Sequence, residues 1–137
     1  MLELGCGLAA PSIVAARANA NVLATDASTD AVAFAAHGLA LNEALGEVAH
    51  ADWGRHADAL AERGPFDLVL AADVLYTRAN VESALRLWPR LLAPWGELQL
   101  ADPGRAGTRD YLAAARASFH VQARGRGEVT LYRLRPR

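Results

Sequence analysis

Glu3-Leu4-Gly5-Cys6-Gly7-Leu8-Ala9-Ala10 is the stretch that decides the fold. Met1–Leu4 reads as the stub of a strand and Gly5–Ala10 as a turn. Pro11–Ala18 reads as a helix, because proline is tolerated in a helix's first turn. Gly5 and Gly7 remove side chains where the backbone must approach a ligand. A strand, Asn21–Thr25, follows and ends at Asp26, about twenty residues after the turn.

The same alternation continues outward. Ser28 can cap a helix running through about Ala44, with Val32, Ala35, Ala36 and Leu39 on one face. Gly46–Ala51 reads as a strand ending at Asp52-Trp53, and residues 55–63 as a weak helix stopped by Gly64-Pro65. Phe66–Ala72 is a near-continuous apolar run, the pattern of a strand buried on both faces. Val81–Leu92 is helical, with Pro89 expected to end or kink it. Gly96–Ala101 is a strand and Thr108–Ser118 a helix. Phe119–Ala123 and Val129–Leu134 flank a polar, glycine-bearing turn and predict an antiparallel hairpin. Such alternation implies an α/β, doubly wound, mostly parallel Rossmann-like sheet with helices on both faces and a C-terminal antiparallel hairpin. No repeat, linker or low-complexity tract divides residues 1–137, so a single domain is expected.

Composition agrees with a packed domain. The 137 residues are 53% hydrophobic and 21% charged, which supports a core and argues against disorder. The net charge of −1 argues against a nucleic-acid footprint, which needs a basic face. All fourteen basic residues are Arg, and the chain contains no Lys. A single Cys excludes an internal disulfide framework, and His37, His50, His56 and His120 lack metal-ligand spacing. No apolar run of about 20 residues exists to span a membrane. Glu3, Pro11 and Arg17 break any signal-peptide pattern. The expectation is a soluble, cytoplasmic protein without bound metal.

The chemistry of the turn narrows the ligand. Gly5, Gly7 and Ala10 satisfy G-x-G-x-x-A, a dinucleotide pattern. Asp26 stands at the offset where a carboxylate meets ribose hydroxyls. Glu3, just before the first glycine, would repel a pyrophosphate but could accept from a cationic amino group. A nucleoside cofactor bearing an amine and no phosphates fits best, which points to S-adenosylmethionine. A nicotinamide-dependent oxidoreductase is the weaker alternative.

Here the sequence resembles a known family. Glu3-Leu4-Gly5-Cys6-Gly7 looks like the first motif of class I, seven-β-strand S-adenosylmethionine-dependent methyltransferases. Asp73-Val74-Leu75-Tyr76 resembles the D-x-x-Y motif of their protein-lysine branch, the methyltransferase-16 family. Asp52-Trp53-Gly54 and Phe66–Asp73 follow the same branch. Leu100-Ala101-Asp102-Pro103-Gly104-Arg105 is similar to its bacterial members, described as nicotinamide N-methylase-like or as similar to the electron transfer flavoprotein β-subunit lysine methyltransferase. The resemblance implies roles residue by residue. Glu3 would lie near the methionine amine, with the backbone of Gly5, Cys6 and Gly7 around the methionine part. Asp26 would take the ribose, Trp53 would pack on the adenine with Asp52 near its amine, and Ala72 would form a wall. Asp73 and Tyr76 would face the incoming amine as the catalytic pair. Family members carry a segment before the first strand, so this chain is expected to be an N-terminally truncated core. They also usually show Pro-Gly-Gly where Pro94-Trp95-Gly96 stands.

The expected function is therefore an N-methyltransferase acting on a protein lysine, with a small nicotinamide-like amine as the alternative acceptor. An inactive, cofactor-binding remnant is the alternative from another class. Each residue also has a plainer reading. The glycines could serve a tight turn only, Asp26 a helix cap, Trp53 the core, Asp73 a strand-end cap and Tyr76 packing. Cys6 is read as a small filler in the turn, and the arginines at 124, 126, 133, 135 and 137 as a solvated rim.

Overall fold

The computed structural model describes residues 1–137, the side chain of Arg126 excepted. Its elements follow the order β1 (Leu2–Leu4), α1 (Ala10–Arg17), β2 (Leu23–Asp26), α2 (Thr29–Leu41), β3 (Glu47–His50), α3 (Ala57–Glu62), β4 (Phe66–Ala72), α4 (Arg78–Leu91), β5 (Leu92–Asp102), α5 (Ala106–Ala115), β6 (Phe119–Arg126) and β7 (Val129–Pro136). The strands form one seven-stranded sheet in the order β3-β2-β1-β4-β5-β7-β6. β1 to β5 pair in parallel, and β7 runs antiparallel to both β5 and β6. The strand order reverses between β1 and β4, so the carboxyl ends of β1, β2 and β4 open onto one crevice.

Alternation along β1 divides the two layers. Leu2 and Leu4 join the larger core with Leu60 of α3, Leu87 and Trp88 of α4, and Tyr111 of α5. Glu3, between them, faces α1, where Ser12 donates its backbone N–H (3.0 Å) and its hydroxyl to the Glu3 carboxylate. Smaller clusters around Ala9, Ala35 and Leu39 seat α1 and α2 on that second face. Gly38 lets the two helices approach, since a Cβ there would lie 3.1 Å from Ile13 Cδ1. Ser28 caps α2 as expected, accepting from the Ala31 N–H at 3.3 Å.

Several local expectations are corrected. α2 ends at Leu41, three residues early, because Glu43 adopts a left-handed conformation (φ 51°). Ala36 is exposed, and only Ala35 and Leu39 of α2 are buried. Pro89 does not end α4, which continues to Leu91. The buried residues Val81, Ala84, Leu87, Trp88 and Leu91 hold its last turn against the core, and that packing outweighs one missing N–H. β5 begins at Leu92, directly after α4, and includes Pro94-Trp95-Gly96. A Cβ at Gly96 would lie 2.7 Å from the Phe66 carbonyl oxygen, so the strand crosses there on glycine. β4 is not buried on both faces. Val69 and Ala71 are buried, whereas Phe66, Leu68 and Leu70 are half-buried and Ala72 is exposed.

Candidate active site

The crevice at the carboxyl ends of the strands holds a cavity of about 320 Å³. Seven of the ten residues expected from the sequence line it: Gly5, Asp26, Asp52, Trp53, Ala72, Asp73 and Tyr76. They arrive from four separate strand ends. A larger depression of about 480 Å³ includes Arg17, Asn19, Asn21 and Glu43 among its lining residues, at the opposite, amino-terminal end of β2. It is remote from the switch point, where ligands of open α/β sheets bind.

The turn after β1 is built for close approach. Gly5 has φ 64°, and a Cβ there would lie 2.7 Å from Val74 Cγ1. Gly7 has φ 52°, and its N–H donates to Asp26 Oδ2 at 2.9 Å. The Ser28 N–H donates to Asp26 Oδ1 at 2.9 Å. A carboxylate offers about four acceptor positions, so these two bonds leave Asp26 two more toward the cavity. Asp52 organises the turn after β3, with Oδ1 accepting from the N–H groups of Gly54 (2.7 Å) and Arg55 (3.2 Å). Trp53 joins that turn to the core through an edge-on contact with Trp88, their ring centroids 5.6 Å apart.

The structure does not bring Glu3 or Cys6 to the cavity, and Gly7 reaches it only through Asp26. Glu3 is 5% exposed and occupied by Ser12. Burial raises its pKa, while the bonds from Ser12 act in the opposite direction. A carboxylate beneath the turn thus braces α1 rather than meeting a ligand amine. Cys6 is buried, and desolvation followed by the nearby Asp26 and Glu3 charges pushes its thiol up to about 12. It is an inert filler at neutral pH.

Asp73 and Tyr76 stand together at the cavity's rim. Asp73 has φ 55°, an uncommon conformation for a residue with a Cβ, and its N–H is held by the Ala101 carbonyl at 2.9 Å. The loop after it is fixed by Asn80, whose Nδ2 donates to the Val74 carbonyl at 2.7 Å. Arg105, at the cap of α5, donates Nε to Asp73 Oδ1 and Nη2 to Oδ2 at 2.8 Å. Those bonds from Arg105 hold the Asp73 carboxyl below its usual range. The guanidinium carbon also lies 5.9 Å from the Tyr76 ring centroid, within cation–π range.

Arg105 and Asn80 received no role from sequence reasoning. Arg105 closes the stretch Leu100–Arg105. Its partner, 32 residues away, is visible only once β4 and β5 pair. The D-P-G-R spacing did carry a signal, an aspartate closing a turn onto following N–H groups. Asp102 Oδ1 accepts from Gly104 N and Arg105 N, both at 2.7 Å. The departure at Trp95 is local: the side chain is exposed, and its Nε1 donates to Asp67 Oδ1 at 2.9 Å.

Comparison with known proteins agrees with this geometry. Residues 2–98 match the family described as "Methyltransferase domain". No curated protein matches the sequence. Among solved structures, a TehB-like SAM-dependent methyltransferase from Corynebacterium glutamicum is similar at 18% identity and TM-score 0.79, covering 99% of this chain and 79% of that one. The N-methyltransferase NodS from Bradyrhizobium japonicum, solved with S-adenosyl-L-homocysteine, is similar at 20% identity and TM-score 0.76, covering 98% and 76%. A ribosomal protein L11 methylase from Lactobacillus delbrueckii is similar at 24% identity and TM-score 0.75, covering 99% and 69%. These likenesses are of fold. The chain belongs to the methyltransferase domain family, with the seven-stranded class I architecture. Its cofactor is S-adenosylmethionine. The cavity fits that molecule. The free acceptor positions of Asp26 suit two ribose hydroxyls, Trp53 offers an aromatic wall, and the glycine turn leaves the backbone open. Asp26, Asp52 and Asp73 line the cavity, with no Arg among the described lining residues, which suits a cationic cofactor better than a pyrophosphate.

Proposed function

We propose that the protein is an N-methyltransferase whose acceptor is the side-chain amine of a protein lysine. Asp73 and Tyr76, together at the rim of the cavity that contains Asp26 and Trp53, carry the reading. The order of motifs on which the resemblance to the protein-lysine branch rests agrees with it. When bound, S-adenosylmethionine would supply an electrophilic methyl on its sulfonium, the amine nitrogen taking that methyl with the thioether S-adenosylhomocysteine as leaving group.

The chain's residues bind and align. Asp26 would hold the ribose, Trp53 would pack on the adenine and Asp52 would meet its exocyclic amine. Gly5 and the wall at Ala72 leave room for the methionine part. Alignment of two bound reactants can contribute about 7–11 kcal/mol to the rate. A lysine amine has an ordinary pKa of about 10.4 and must lose a proton before attack. Asp73 is a poor base for this, because the bonds from Arg105 lower its pKa and so weaken its hold on a proton. It orients the amine by accepting a hydrogen bond, and the proton leaves to water. Tyr76, 65% exposed, offers its ring face to the arriving cation. The exposed rim suits a side chain presented on a polypeptide.

The test is transfer of a labelled methyl group to lysine-containing peptides, with nicotinamide in parallel. Methyl-lysine formation that Asp73→Ala suppresses supports the reading. Label on nicotinamide alone would make the small amine the acceptor. Binding of NAD in place of S-adenosylhomocysteine would overturn the whole assignment.

A further inference from the structure

The position expected of an incoming amine is already occupied by a cation of the chain itself. Arg105 reaches both Asp73 oxygens and lies over the Tyr76 ring. These are the two groups that the proposed function assigns to the acceptor. The contact is built rather than incidental. Asp102 is fully buried and fixes the turn that carries Arg105, its Oδ2 accepting from the Thr108 hydroxyl at 2.7 Å. α5 is pressed onto the loop after β4, where a Cβ at Gly107 would lie 2.2 Å from the Leu75 carbonyl oxygen. Two loops from neighbouring strands are thereby locked together, with the guanidinium between them.

We propose that Arg105 is a selectivity latch that stands in for the substrate cation, so that an acceptor must displace it from Asp73 and Tyr76. The inference rests on the proposed function and specifies its substrate as a cationic alkylamine. Nicotinamide, whose accepting atom is an uncharged pyridine nitrogen, offers the pair no charge with which to compete. An aliphatic ammonium matches the guanidinium's charge and needs the same carboxylate. Arg105, 42% exposed at its side chain, and Asp73, 49% exposed, form a bond that water can open. Pairs of this kind contribute little, which is what a displaceable latch requires.

The experiment uses the chain loaded with S-adenosylhomocysteine and titrated with n-butylammonium, followed by NMR at the Tyr76 ring. Removing the latch in Arg105→Ala should tighten n-butylammonium binding about two- to fivefold, the factor expected from losing an exposed ion pair. Arg105→Gln should do the same and guards against a folding defect in the alanine variant. Equal affinity in wild type and both variants, with S-adenosylhomocysteine still bound, overturns the latch alone. Failure of all forms to bind S-adenosylhomocysteine overturns the function beneath it. Arg105→Lys takes the argument into chemistry. The natural chain has no lysine, so peptide mass mapping sees the introduced amine without background. Gain of a methyl on residue 105 supports the latch. An unmethylated variant that still binds both ligands overturns the claim that this side chain stands in the acceptor's place.

Discussion

Replacing Asp26 should separate a cofactor carboxylate from a mere helix cap. Its two oxygens accept from the Gly7 and Ser28 N–H groups, both at 2.9 Å, and two acceptor positions remain. Filled by ribose hydroxyls, each would make a hydrogen bond to a charged group, worth about 1.5–3 kcal/mol. Taking the lower figure for each, Asp26→Ala should cost about 3 kcal/mol of binding, or about 100-fold in affinity. The loosened Gly7 N–H adds to that loss. Asp26→Asn keeps one acceptor oxygen and should lose about tenfold, one bond's worth. Calorimetric titration with S-adenosylhomocysteine measures both, and circular dichroism checks that the fold survives. A folded Asp26→Ala variant that binds within about threefold of wild type would refute the reasoning. Asp26 would then be a structural acceptor for the glycine turn and the α2 start only.

Three further outcomes follow from particular contacts. Gly5→Ala places a Cβ 2.7 Å from Val74 Cγ1 at φ 64°. It should cost about 1–2 kcal/mol in left-handed strain alone, read as a lower Tm, with Val74→Ala relieving only the steric part. Asp102→Ala leaves the N–H groups of Gly104 and Arg105 and the Thr108 hydroxyl without their acceptor. The Thr108 hydroxyl is buried, and a buried unmet group costs about 1–3 kcal/mol; the N–H groups of exposed Gly104 and Arg105 can turn to water, so urea unfolding should show a loss of about 1–3 kcal/mol. Glu97 is held at about 2, below its ordinary 4.5, chiefly by the Arg133 guanidinium, against an opposing burial effect. A depressed carboxyl contributes stability that is present above about pH 4.5 and lost as pH falls toward about 2. The arginine heads are 43% and 61% exposed, so solvent screening cuts this to about 1–2 kcal/mol. Glu97→Gln should flatten the acid limb of the stability curve, and an unchanged limb would refute the assignment.

The order of all twelve elements was legible because each strand carried a local signal: apolar β-formers followed by a turn or a capping residue. Ser28 is the clearest case, a cap read from sequence and present as a bond to Ala31. The failures came where tertiary packing overrode local chemistry. Pro89 reads as ending or kinking the helix, and it does not end it: α4 runs on to Leu91 and buries Trp88 and Leu91 on either side of the proline, apolar burial that outweighs the lost N–H. Gly96 reads as the start of the fifth strand, yet β5 begins at Leu92, which pairs with Phe66 of β4.

The candidate site divided along the same line. Gly5 and Asp26 follow from the glycine turn and the carboxylate offset, whereas Asp52, Trp53, Ala72, Asp73 and Tyr76 follow from the resemblance to the methyltransferase family; all seven sit at strand ends or in the loops just after them. Glu3 also sits on a strand, but on a face that a spacing argument leaves undetermined. Its partner Ser12 comes from α1, and the resulting bonds turn its charge inward. Arg105 was missed for the opposite reason, because its meaning lies wholly in a pairing across β4 and β5. Both outcomes change the electrostatics expected of the site. With Glu3 withdrawn, Asp26, Asp52 and Asp73 supply the negative charge around the cavity, and Arg105 cancels the last of these. A sulfonium-bearing cofactor then meets uncompensated carboxylates on the ribose side, while the acceptor side is neutral until an amine opens it. That asymmetry gives the two ligands different access to a single cavity: the cofactor is drawn in by charge, and the acceptor enters by exchange with Arg105.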